Sequence, residues 1–179
     1  MIKNIVLHFN LITKHRHKVF KLCVKAGIPF RGLVHDLSKY SWTEFSESVK
    51  YYNGTCSPII NCKNDIGYSN AWLHHKGRNK HHYEYWYDYA LNNPTPVIPY
   101  KYTVEMICDC LAAGMTYQGK KWNKEYQLSY FEKTKDVRKI NPKIENILYE
   151  VFKEVSENGV DATINPKILR RIYDKHINS

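Results

Sequence analysis

Apolar residues recur at steps of three and four along most of this chain, the spacing of helices with one buried face. The first such stretch runs from about Lys3 to Ala26, with a stripe of Ile5, Ile12, Val19, Leu22 and Cys23. His8 and His15 fall on that stripe, whereas His17 lies about 200° round the helix from His15, toward solvent. Gly27 is a helix stop and Pro29 opens a second helix, to about Tyr40, with Leu33, Val34 and Leu37 facing the core. Ser41-Trp42-Thr43-Glu44 is a capping box and starts a third helix, which ends near Asn53-Gly54. The stretch from Thr55 to Gly67, with Pro58 and two Cys, reads as a loop of the length used for lids or binding loops.

Ser69 can cap a fourth helix, Asn70 to Lys76, broken by Gly77. A fifth runs from about His81 to Leu91, followed by a Pro-rich linker to Pro99. The sixth, Tyr100 to Tyr117, has Val104, Ile107, Leu111 and Met115 as its ridge. Asp109 stands among these apolar residues, too deep in the helix to cap it, with Glu105 four positions before it on the same face. Beyond Gly119 the chain is basic and helical. A weak helix spans Leu128 to Lys139, another runs from Asn141-Pro142 to about Glu157, and a last one from Asn165-Pro166 to about His176. The pattern predicts an all-α fold, with a core over residues 1–120 and a basic helical extension over 121–179.

Composition adds three constraints. A 179-residue chain that is 43% hydrophobic is globular, with room for a sizeable core. Lys and Arg number 27 against 17 Asp and Glu, a net charge of +10. That balance favours an anionic partner, a phosphate ester, nucleotide or nucleic acid, and a solvated basic surface is the plain alternative. The five Cys form no disulfide framework or zinc knuckle, which fits reduced thiols. No window approaches the length of a membrane span, and the start lacks a signal-peptide pattern, so a cytoplasmic protein without a membrane partner is expected.

The chemistry concentrates at His35-Asp36, an adjacent nitrogen and anionic oxygen donor inside an apolar run. Such donors suit a first-row divalent ion: Mn, Fe, Co, Ni or Zn. A buried Asp needs a cation nearby, and Lys39 could serve instead of a metal. A second concentration follows: His74, His75, His81 and His82 lie within nine residues, interleaved with Lys76, Arg78 and Lys80. Protonated rings beside three fixed cations would repel. Neutral rings on a metal, with the cations facing a phosphate, remove the conflict, and a surface His-rich patch is the alternative.

In chain order, His15, His35-Asp36 and Asp109, with the Leu33 to Lys39 run, resemble the HD-domain metal phosphohydrolase superfamily. The resemblance implies an HD-like helical bundle in which those four residues hold one or two divalent ions, Mg included. Leu73-His74-His75-Lys76 is similar to the paired-His segment of the two-metal HD-GYP class, which makes His74 and His81 further ligands. The Gly-Tyr-Pro element of that class is absent, so its cyclic-dinucleotide specificity does not carry over. Residues 8–120 also look like an uncharacterised family of small bacterial and phage proteins, through His35 to Tyr40, Gly67 to Ser69 and Ala71 to His82.

These readings converge on a metal-dependent phosphohydrolase, a phosphomonoesterase or phosphodiesterase acting on a nucleotide or related ester through activated water. Lys39 and Arg78, with Lys76 or Lys80, would neutralise the phosphoryl oxygens, and His75 or His82 would protonate the leaving group. The competing reading is a non-enzymatic module that binds or sequesters a nucleotide or nucleic acid, its aromatic residues stacking on bases.

Overall fold

The longest apolar stripe becomes the longest helix, α1, Ile2–Lys25, which buries His8, Ile12, His15, Val19, Leu22 and Cys23 and leaves His17 exposed. The computed structural model describes residues 2–54 and 56–178. All regular structure among them is helical.

α2, Pro29–Val34, lies against α1 at a distance set by Gly32. A Cβ there would stand 2.6 Å from Cys23 Cβ and 3.0 Å from Phe20 Cα. The helix expected to reach Tyr40 ends at Val34 instead. Arg16 of α1 causes the difference by occupying carbonyls that a continuing helix would use. Its Nε donates to His35 O at 2.7 Å and its Nη2 to Leu33 O at 2.9 Å. The chain then turns at Asp36, whose φ of 53° is left-handed, and closes a 3₁₀ turn over Leu37–Tyr40.

α3, Trp42–Lys50, keeps half of the expected capping box, with Ser41 Oγ accepting from Glu44 N. The predicted loop from Thr55 to Gly67 is mostly a helix, α4, Pro58–Ile66, started by Pro58 and stopped by Gly67 at φ 83°. Thr55 itself lies outside the described residues. α5, Asn70–Arg78, passes through Gly77, which does not break it. Ser69 Oγ caps it by accepting from Trp72 N at 3.0 Å. The helix expected from His81 to Leu91 is instead a short 3₁₀ turn, Tyr83–Trp86, followed by irregular chain.

α6, Tyr100–Gln118, is the central helix and packs along α1. α7, Tyr126–Thr134, α8, Pro142–Asn158, the single turn α9, Val160–Thr163, and α10, Pro166–Ile177, complete the chain. One buried cluster joins Val19, Ile107 and Leu111 to Phe131, Phe152 and Ile172. The C-terminal helices therefore share a core with α1 and α6, and that core braces α6 from behind. No helix among the described residues is long and apolar enough to cross a membrane.

Candidate metal centre

α1 delivers His15, the turn after α2 delivers His35 and Asp36, and α6 delivers Asp109. The His15 Nε2 atom stands 3.0 Å from Asp109 Oδ1 and 4.0 Å from Asp36 Oδ2. The His35 Nε2 atom stands 3.3 Å from Asp36 Oδ2 and 3.5 Å from Asp109 Oδ1. These four residues form one group whose donor atoms all lie within 4.8 Å of one another.

A second group shares Asp36 and adds His75, His81 and His82. Its oxygen is the other one: Asp36 Oδ1 is 3.3 Å from His75 Nε2 and 3.4 Å from His81 Nε2. The His75 and His82 Nε2 atoms are 2.9 Å apart. Asp36 thus turns one carboxylate oxygen to each group. Asp109 does likewise more loosely, with Oδ2 3.8 Å from His81 Nε2. His82 has extended backbone, and the irregular chain here brings the His81 and His82 rings to 4.3 Å between centroids. On a helix adjacent side chains would diverge by about 100°.

Two buried carboxylates behind the rings set their direction. His35 Nδ1 donates to Glu105 Oε1 at 3.0 Å, and His81 Nδ1 stands 3.2 Å from the same oxygen, off the hydrogen-bonding angle. His75 Nδ1 donates to Glu44 Oε2 at 2.7 Å. A neutral ring that donates from Nδ1 presents a lone pair at Nε2, the atom that His35 and His75 each turn toward Asp36. Arg31 closes the arrangement by donating to Glu105 Oε2 at 2.7 Å. Burial pushes Glu105 up, but the contacts with His35 and His81 outweigh it and bring the carboxyl down to about 2.

The other charges follow the same logic. Burial opposes ionisation of Asp36, and the neighbouring His35, Lys39 and His75 overcome it, holding the carboxyl well below its usual range. Burial and the adjacent His81 and His75 rings push His82 well below the usual imidazole range, so its ring is neutral. The Lys39 Nζ atom is 2.7 Å from Asp36 Oδ2, an ion pair at the mouth of the site.

The residues fit a divalent ion. His15 Nε2, His35 Nε2, His81 Nε2 and both Asp36 oxygens are buried and have no hydrogen-bond partner. Such atoms are costly to leave unmatched, and a cation among them satisfies them together. Imidazole nitrogen with carboxylate oxygen is the donor set of a first-row metal. Lys39 meets one of these oxygens, Asp36 Oδ2.

Other expected site residues fall elsewhere. His74, expected as a ligand, turns out of the centre and bonds Glu44 Oε1 through Nδ1 at 2.6 Å. On α5 it is one residue from His75, and only one of the pair can face inward. His75 and His82, expected as proton donors, stand in the second ligand group. Lys76, Arg78 and Lys80 line neither cavity at the centre. Arg78 and Lys80 are exposed, and Lys80 Nζ lies over Tyr85, 5.6 Å from its ring centroid. Among the expected cations, Lys39 alone borders a cavity beside the ligands. The supporting pair Glu44 and Glu105 was missed. Glu44 was legible only as a capping residue, although Glu105 stood out by its place four residues before Asp109.

The fold and site define an all-helical protein with a buried His/Asp centre able to hold metal ions. The chain belongs to a family of unknown function (DUF5662), whose match covers residues 4–154. That match runs through all the ligand-bearing segments and most of α8. No curated protein and no solved structure matches the chain.

Proposed function

We propose that this chain is a metal-dependent phosphohydrolase of the HD type, acting on a phosphate ester such as a nucleotide. The observation that carries the reading is Asp36, whose two buried carboxylate oxygens face separate groups of ring nitrogens. His15, His35 and Asp109 would hold one ion with Asp36, and His75, His81 and His82 the other. A divalent pair at such a centre supplies Lewis acidity toward water and toward a phosphoryl oxygen.

The remaining work belongs to the chain. Glu105 and Glu44 fix the ring orientations, so the ligands need no rearrangement when substrate arrives. Lys39 borders the cavity, and its ammonium is the cation placed to meet charge growing on the phosphoryl group. Burial lowers the affinity of that amine for its proton, but the Asp36 and Asp109 charges more than restore it, so it stays charged. His82 is held neutral and therefore serves as a ligand better than as an acid.

The test is a panel of phosphomonoesters and phosphodiesters assayed with Mn, Co and Mg, alongside metal analysis of protein purified without chelator. Asp36→Ala should lose bound metal and hydrolysis together. Hydrolysis that survives Asp36→Ala, or native protein that hydrolyses no ester while carrying metal, would overturn the proposal.

A further inference from the structure

Two cavities meet at Asp109. The smaller, about 170 Å³, is bordered by His15, Lys39, His75 and Asp109. The larger, about 350 Å³, shares Asp109, Ser57, Ala113 and Tyr117 with it, and its far wall is α7, with Tyr126, Gln127 and Tyr130. α7 lies beyond residue 120, outside the segment that carries the metal-site motifs.

That wall has a definite chemistry. The Tyr126 and Tyr130 rings are nearly parallel, 16° apart in plane. Gly114 lets α7 come this close: a Cβ there would stand 3.0 Å from the Tyr126 ring and 3.1 Å from Gln127 Oε1. Gln118 Nε2, donating to the Tyr126 hydroxyl at 3.2 Å, steadies the ring from the other side. Gln127 is 3% exposed and borders the cavity with an amide that both donates and accepts. No Lys, Arg or His borders this cavity among the described residues, and Asp109 is its charged wall residue.

We infer that the larger cavity is a subsite for the uncharged planar base of a nucleoside whose single phosphate lies at the metal centre. The inference takes from the phosphohydrolase reading only the position of that phosphate. Tyrosine faces suit a flat ring, and an amide suits an edge carrying a donor beside an acceptor. A chain of phosphates is excluded, because a further phosphoryl charge would enter a cavity without a cation and beside a carboxylate. The ligand class is therefore a nucleoside monophosphate, not a triphosphate or a nucleic-acid strand.

Free nucleosides test the subsite without any hydrolysis. Adenosine and cytidine titrated into the purified protein, followed by calorimetry and by tyrosine fluorescence, should show saturable binding of at least one of them. Tyr126→Ala should weaken that binding about tenfold, the loss expected when one stacking partner is removed. Tyr130 is half exposed, so Tyr130→Ala leaves the core intact and should shift binding the same way. In turnover, Tyr126→Ala should raise KM for the nucleoside 5′-monophosphate more than it raises KM for ribose 5-phosphate. If neither nucleoside binds, or both variants bind as the native chain does, the subsite is refuted, even where ribose 5-phosphate is hydrolysed. Nucleoside binding that follows the tyrosines in a protein without hydrolysis upholds the subsite and removes the phosphohydrolase reading instead.

Discussion

Asp36 meets two demands at one position. Its left-handed backbone, unique among non-glycine residues described, lets it leave α2 sideways, and its carboxylate then faces both nitrogen groups. Asp is among the few side chains that tolerate this conformation, at a cost of about 1 kcal/mol. Glu105 acts one step further out. Glu105→Gln removes the charge behind His35 and His81 and should lower metal affinity roughly 10–100-fold, as loss of such partners does elsewhere. Competition with a chelating dye measures this, and unchanged affinity would remove Glu105 from the centre. His8 is inward on α1 but holds no ligand position; it packs 5.5 Å from the Phe45 and Tyr52 rings. Burial first, and the charge of Lys39 second, lower its pKa from 6.5 to about 4. The folded state therefore binds fewer protons than the unfolded state between those values. Its contribution is complete above pH 6.5 and is lost progressively as pH falls toward 4. His8→Phe keeps a ring in place, so urea midpoints should fall less between pH 7 and pH 5 in the variant than in the native chain.

Two glycines separate packing from propensity at the scale of elements. Gly32 sits where α2 touches α1, and Gly32→Ala should destabilise by about 1–3 kcal/mol through overpacking. Gly77 lies in α5 with nothing within 4 Å of an added Cβ, and Gly77→Ala should stabilise by up to about 1 kcal/mol. Denaturant melts of the pair read both signs. Helices with a clean stripe or an Asn-Pro start were legible in the sequence: α1, α6, α8 and α10 lie within a residue or two of their expected ends. α4 carries the same kind of start, Ser57-Pro58, and the same kind of stop, Gly67, but its short apolar run masked the period. The segment after His81 was misjudged for a tertiary reason. Trp86 Nε1 donates to Lys80 O at 2.8 Å and closes a turn where the sequence pattern predicts a helix. The same limit applies at Val34, where Arg16, nineteen residues upstream of His35, ends the helix. Hydrophobic phase chose His15 over His17 correctly as the inward residue, but phase cannot choose between neighbours such as His74 and His75 when each has a buried carboxylate oxygen to meet.

For the molecule as a whole, the ligands come from stretches far apart in the chain, His15 to Asp109, and gather only in the folded state. A bound ion is then linked to folding, since the unfolded chain offers no assembled site. The C-terminal helices belong to this account because they hold α6 from behind and, through α7, wall the larger cavity. Chelator treatment should lower Tm, and added Mn or Zn should restore it in a concentration-dependent way. The most direct measurement is metal stoichiometry on reconstituted protein, by elemental analysis after removal of free ion. The native chain should hold two ions, His15→Ala and His82→Ala should each retain one, and Asp36→Ala, which removes the carboxylate shared by both groups, should hold none. A native chain that stays metal-free, or an Asp36→Ala variant that still binds two ions, would contradict the account.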